Sequence, residues 1–166
     1  MKLISPHDSM RGYLAYHLYE EMEINPNIYV VTADLGYGMF NAISADFRDR
    51  FINVGAAEQT ALDVCVGLSM AGKIPFMYTI TPFLYRGMET IRTYIDYENI
   101  PVIMLGSGRD DDYAHDGYSH DGTDINNMFN IFDNIKQYYP ENKEDIKDLL
   151  IKVIKKKQPT FISLRR

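Results

Sequence analysis

FINVGAAEQTALDVCVGLSMAGKIPFMYTI, residues 51–80, decides how this chain folds. Two short apolar runs, "FINVG" and "IPFMYTI", flank a helical pattern. Neither run alternates apolar with polar residues, as a half-exposed strand would. They read as strands covered on both faces. Between them Ala61, Leu62, Cys65 and Leu68 fall on one face of a helix, and Gly72 closes it. A strand, a helix and a second buried strand make a crossover unit of a parallel sheet.

The pattern repeats outward in both directions. "HDSMRGYLAYHLYEEME" starts with cap candidates Asp8 and Ser9 and carries Leu14, Leu18 and Met22 at helical spacing. "NIYVVTADLG" is a short apolar, β-branched run ending in a turn. After residue 80, "TPFLYRGMETIRTYIDYE" reads as a helix with Pro82 in its first turn. "IPVIMLG" is a strand with apolar residues throughout. "DNIKQYYP" and "PTFISLRR" read as further strands around the helix "ENKEDIKDLLIKVIKK". Helices alternating with non-alternating strands predict a doubly wound α/β fold, a mostly parallel sheet with helices on both faces. The expected unit is one domain over residues 1–166.

The chain has 166 residues, 46% apolar and 24% charged, which is globular composition. Net charge is -6 and the pI is near 5.1, so nucleic acid is not an expected partner. The one basic run, Lys152 to Lys157, ends a predicted helix, where cations favour the dipole. No run reaches the length of a membrane span, and residues 1–10 hold no signal-peptide pattern. The single cysteine, Cys65, lies among apolar helix positions and reads as a small buried hydrophobe. The expected compartment is the cytoplasm.

In doubly wound sheets, ligands bind beyond the carboxyl ends of the strands. Four loops there matter: "TADLGYGMF", "NVGAAEQ", "TITPFLYRG" and "GSGRDDDYAHDGYSHDGTDI". The last has no regular pattern and is longer than compact domains usually carry without a function. Glu58 sits in the first turn of its helix, where an acid commonly does no more than offset the dipole. The glycine and alanines before it leave room for a flat group. Phe83 is by default a core residue, but at a helix start it can also stack on a planar ligand. Arg86 is by default a surface cation, but it is placed to hold an anion. His115, His120, Asp116 and Asp121 match no metal-ligand spacing, so no metal site is expected. Asp110, Asp111 and Asp112 read as a solvated acidic turn. "DLGYG" and "GSG" form neither a dinucleotide fingerprint nor a phosphate loop.

Taken together, "RFINVGAAEQTALDVCVGLSMAGKIPFMYTITPFLYRGMETIR", "IPVIMLG" and "HDGYSHDGTDI" resemble the pyrimidine-binding domain of transketolase and 1-deoxyxylulose-5-phosphate synthase. "TADLG", "YYPENKED" and "PTFISLRR" extend the likeness over residues 5–166. The resemblance implies thiamine diphosphate as cofactor. It implies that Glu58 binds the ring nitrogen N1' of the aminopyrimidine, so that the cofactor's own amino group can act as a base. Phe83 matches the aromatic that stacks on that ring. Ile80 falls where a second aromatic can stand, and Asp34 matches a cofactor-proximal acid. Asp116 and His120 match loop residues that contact sugar hydroxyls and assist proton transfer. Arg86 matches an arginine that contacts cofactor or substrate. His115 and Tyr118 stand where a glutamate and a proline are common, which leaves the substrate open.

Enzymes of this kind hold the diphosphate through Mg²⁺ on a second domain, with Gly-Asp-Gly and a later Asn. The 166 residues contain no Gly-Asp-Gly. The expectation is therefore half an active site, completed by a separate diphosphate-binding subunit that carries Mg²⁺. The expected assembly is α2β2, or a homodimer when the chain is alone, acting on a small sugar or keto acid. Two other readings remain open: a non-catalytic remnant or regulatory partner, and a β-type subunit of an α-keto acid decarboxylase or dehydrogenase.

Overall fold

The computed structural model describes residues 6–166 and every side chain among them except that of Asn126. The first five residues of the expected 1–166 unit lie outside it. Six strands form one sheet: β1 (Ile28–Thr32), β2 (Phe51–Asn53), β3 (Ile74–Ile80), β4 (Ile103–Ser107), β5 (Lys136–Tyr138) and β6 (Thr160–Leu164). Their order is β2-β1-β3-β4-β6-β5, and every neighbouring pair is parallel. The doubly wound α/β fold stands as expected, and the sheet is parallel throughout.

Alternation appears in where the strand residues point, not in their polarity. Val30, Phe76, Tyr78, Ile103, Leu105 and Ile162 join one core, with helices α1 (Met10–Ile24) and α6 (Ile146–Lys156). Val31, Met77, Met104 and Phe161 join the other, with α3 (Glu58–Met70). Each strand therefore needs apolar residues at successive positions, which is why no polar alternation shows in the sequence. Cys65 is fully buried in the second core, and burial pushes its thiol up from the ordinary range.

The helix ends follow local chemistry. Ser9 caps α1, its Oγ accepting from Gly12 N at 3.0 Å. At the end of α3, Gly72 takes φ +78, and the Gly72 and Lys73 amides return to the carbonyls of Ser69 and Leu68. That left-handed turn is the stop the glycine predicts. α6 ends at Lys156, with Lys155 and Lys156 in its last turn.

Three elements differ from the sequence reading. A short helix, α2 (Asn41–Asp46), follows β1, where no helix is expected. It docks through Phe40 and Ile43, both buried, and Tyr19 Oη donates to Asp46 Oδ2 at 2.9 Å. Six residues are too few to print a helical period. The expected helix after β3 is not one regular α-helix. It runs as a 3₁₀ stretch (Thr81–Gly87), one turn of α-helix α4 (Met88–Thr90) and a π-helical stretch (Ile91–Tyr97). Pro82 removes a donor near its start, and Gly87 packs directly on α3. A Cβ on Gly87 would meet Leu62 Cδ1 at 2.2 Å. The short helix α5 (Ile125–Phe129) also stands where no helix is expected.

β1 and β3 are neighbours, but the chain reaches β3 by way of β2 and α3. Strand order thus reverses beside β1, and the loops after β1 and β3 diverge there. Crevices of this type receive ligands. Among the described residues no helix is long and apolar enough to cross a membrane.

Candidate active site

The loop between β2 and α3 delivers Glu58 to this crevice. Asn53, the last residue of β2, fixes the loop through one oxygen. Its Oδ1 accepts from Asp34 N at 2.9 Å and from Gly55 N at 3.0 Å. Gly55 adopts φ +76, and Ala57 leads into α3 without a side-chain cap. Glu58 is then the first helical residue. Its carboxylate lies at the positive end of α3, where the dipole favours an anion.

The Glu58 side chain is only 3% exposed, and its two oxygens are in different situations. Oε1 receives Arg86 Nη1 at 2.7 Å. Oε2 is buried and has no partner among the described residues. A buried acceptor without a donor costs about 1–3 kcal/mol. Its lone pairs suit a ligand N–H.

Arg86 links Glu58 to an aromatic pair. Its guanidinium carbon lies 4.1 Å from the centre of the Phe83 ring. The His120 ring meets Phe83 edge to face at 5.0 Å. His120 Nδ1 lies 3.0 Å from Ser119 Oγ. Four of the expected residues, Glu58, Arg86, Phe83 and His120, therefore form one continuous set from three strand-end loops. Gly87 makes the set possible, because its missing side chain lets the Arg86 turn settle on α3.

The other expected residues are placed differently. Ile80 ends β3 and is half-buried. Asp34 lies exposed at the end of β1 with φ +55, and accepts a hydrogen bond from Tyr37 Oη. The carboxylate pushes the Tyr37 phenol above its usual range. Asp116 turns toward His115, with Oδ2 3.5 Å from Nε2. It joins the Arg166 side of the loop instead of the Glu58–His120 set.

The long loop is more ordered than its sequence suggests. It holds two 3₁₀ turns, Ala114–Asp116 and Tyr118–His120, and an antiparallel bridge between Asp110 and Gly122 closes its base. Asp110 and Asp112 are not simply solvated. Both pair with Arg165, and Asp112 Oδ2 also accepts from Arg109 N at 3.0 Å. Partners distant in sequence overturn the reading as a free acidic turn.

Sequence reasoning missed Arg109, Arg11 and Tyr113. Arg109 is 3% exposed and satisfied by Glu141, the Pro140 carbonyl and Ser163. Arg11 Nη1 donates to Tyr113 Oη at 2.7 Å, beside a cavity of about 520 Å³ also lined by Tyr16, Tyr37, Met39 and Tyr78. Nothing local marks these residues, because each is defined by a partner far along the chain. Among the described residues, no set of three or more His, Cys, Asp or Glu side chains could hold a metal ion.

The ion pair gives a direct expectation. Arg86→Ala leaves both Glu58 oxygens buried without a donor and costs about 1–3 kcal/mol. Arg86 is itself half-exposed, so the loss stays below that of a fully buried pair. Urea unfolding measures it, and adding Glu58→Gln to the same chain restores part of the loss. An unchanged unfolding midpoint in Arg86→Ala would mean the pair contributes nothing.

An all-parallel, doubly wound sheet with an acid, an arginine and two rings gathered in its strand-end loops defines a doubly wound α/β protein. The chain belongs to the family of the transketolase pyrimidine-binding domain, which matches residues 8–166. It is 26% identical over 168 residues to a putative transketolase C-terminal section of Methanocaldococcus jannaschii, covering 100% of this chain and 53% of that one. It is 28% identical over 120 residues to one subunit of an apulose-4-phosphate transketolase of Actinobacillus succinogenes, covering 72% of this chain and 39% of that one. Among solved structures, a split-gene transketolase described as an inactive β4 tetramer aligns with a TM-score of 0.83 at 29% identity. The alignment covers 95% of this chain and 51% of that one. The chain thus spans about half or less of the length of these relatives.

Proposed function

We propose that this chain is the pyrimidine-domain subunit of a split, transketolase-like enzyme that transfers a two-carbon ketol unit or performs a related carboligation. The observation that carries the reading is Glu58 Oε2, a buried acceptor without a partner beside Phe83 and His120. That arrangement fits an aminopyrimidine, whose ring nitrogen can share a proton with a carboxyl group and whose flat face can lie on an aromatic. Thiamine diphosphate, when bound, supplies the reactive carbon and the electron sink of such chemistry.

The chain's own residues divide the remaining work. Glu58 holds a proton at the pyrimidine nitrogen through Oε2. Arg86 occupies Oε1, which fixes the rotamer and leaves Oε2 for the ligand. Phe83 stacks on the ring, and Ile80 lines the edge of that pocket. His120, with Nδ1 turned to Ser119, keeps Nε2 for a substrate proton. Asp116, on the exposed tip of the same loop and outside the Glu58–His120 set, is assigned to substrate hydroxyls, and Asp34 to the cofactor side of the crevice.

In this reading the diphosphate and Mg²⁺ are held by a separate chain carrying Gly-Asp-Gly, a motif that these 166 residues do not contain. An α2β2 assembly matches the paired halves. One relative named as a transketolase subunit and another named as a C-terminal section fit the same division. Alone, the chain is expected to form an inactive homodimer; the split-gene neighbour is described as an inactive β4 tetramer.

Purification of the tagged protein from its native cell, with mass spectrometry of what accompanies it, tests the proposal. A companion with Gly-Asp-Gly is expected. The mixed pair, supplied with cofactor and Mg²⁺, converts ketose phosphates, whereas neither chain does so alone. Turnover of α-keto acids only would move the assignment to a decarboxylase-type subunit. No companion and no turnover would overturn it.

A further inference from the structure

β6 lies beside β4 in the sheet, so the residues after β6 emerge next to the loop that follows β4. Those residues are Arg165 and Arg166. Arg165 Nη2 pairs with Asp110 Oδ2 at 2.9 Å, and its Nη1 lies 3.6 Å from Asp112 Oδ1 and 3.5 Å from the Arg109 carbonyl. The Arg166 amide donates to Asp112 Oδ2 at 3.0 Å. Its guanidinium carbon lies 5.1 Å from the centre of the Tyr113 ring, and its Nη1 donates to His115 Nε2 at 3.2 Å. Two consecutive arginines thus hold five residues of the loop: 109, 110, 112, 113 and 115.

We infer that Arg165 and Arg166 are positioning residues that set the loop 108–122, and through it the approach of Asp116 and His120 to substrate. The inference rests on the reading that those two side chains face substrate. Residues 114–119 are exposed, and Tyr118 is 87% exposed. Such a tip has little packing of its own and would otherwise open locally. Its base is fixed by the Gly122 amide, which donates to the Asp110 carbonyl at 2.9 Å. Asp110 holds φ +52, a left-handed conformation that aspartate visits more readily than most non-glycine residues. Arg165 holds it in place, gripping Asp110 and Asp112 from one guanidinium.

Arg165 is 39% exposed, so its ion pairs add little to global stability. Their effect falls on where the loop stands. This separates the clamp from a core residue: its loss leaves the fold intact and loosens the loop.

The test uses the full chain, first alone. Chymotrypsin cleaves after Tyr118 only when the loop opens. Arg165→Ala is expected to be nicked there about tenfold faster than the parent, with a melting temperature changed by no more than about 2 °C. Arg165→Lys keeps one charge contact and restores part of the resistance. Equal nicking rates in the parent and Arg165→Ala overturn the clamp. In the reconstituted pair, Arg165→Ala is expected to raise the KM for substrate by about tenfold, with a smaller fall in kcat. Faster nicking with unchanged KM and kcat would overturn the positioning role. If the parent pair shows no turnover at all, the split-enzyme reading fails, while the nicking comparison still decides the clamp.

Discussion

Glu58→Gln lowers kcat of the reconstituted pair on the order of 10²–10³-fold, the size of effect seen when one preorganised electrostatic partner is removed from an active site. The substitution keeps shape and a carbonyl oxygen but removes the carboxylate. An amide cannot take and hold a proton at the pyrimidine nitrogen, so the step that depends on it stalls. The fold survives, because a neutral amide at the first position of α3 forfeits only a dipole interaction of about 1 kcal/mol or less and the Arg86 contact. The measurement is steady-state turnover with both subunits, alongside calorimetric titration of thiamine diphosphate. The expected pattern is a large loss of kcat with cofactor binding weakened but detectable. Turnover within threefold of the parent would falsify the role given to Glu58. That carboxylate would then be only the acid of a helix start.

The largest stability effect is expected at Phe161. Its ring lies fully buried in β6 and stacks on Phe129 at 3.9 Å between centroids, with planes 5° apart. Tyr139 meets it edge to face at 6.2 Å. Gly106, in the neighbouring β4, is glycine for the same reason: a Cβ there would stand 2.8 Å from Phe161 Cε2. Phe161→Ala removes a ring against which Phe129 and Tyr139 both pack. The expected loss is about 3–5 kcal/mol, a large part of a domain stability of roughly 5–15 kcal/mol. Chemical denaturation measures it directly. A loss below about 1 kcal/mol would show that the site collapses, unlike a rigid core.

How much of this was legible depends on the range of each interaction. The strands of "FINVG", "IPFMYTI" and "IPVIMLG" declare themselves because burial on both faces forces apolar residues at every position. The helix of Glu58 declares itself through period and through Gly72. α2 did not, being shorter than the window in which a period can be read. The stretch after β3 did declare itself as helical. Its 3₁₀ and π geometry did not, because Gly87 against Leu62 is a contact between elements.

The same division holds for the site. Residue types near the strand ends pointed to Glu58, Phe83, Arg86 and His120. Their likeness to a known domain is the source of the roles proposed for them. Sequence could not say that Arg86 takes one Glu58 oxygen and leaves the other buried and open, because the two residues lie on different elements. Nor could it say that Asp110 and Asp112 are held by Arg165, which is brought beside them only by the pairing of β4 with β6. By itself the sequence determined the class of fold, the order of its strands and longer helices and several of the chemically able residues, since those follow from local periodicity and composition. Tertiary structure alone decided which atoms remain unpaired and which loop is clamped, since both depend on partners that only the folded sheet brings within reach.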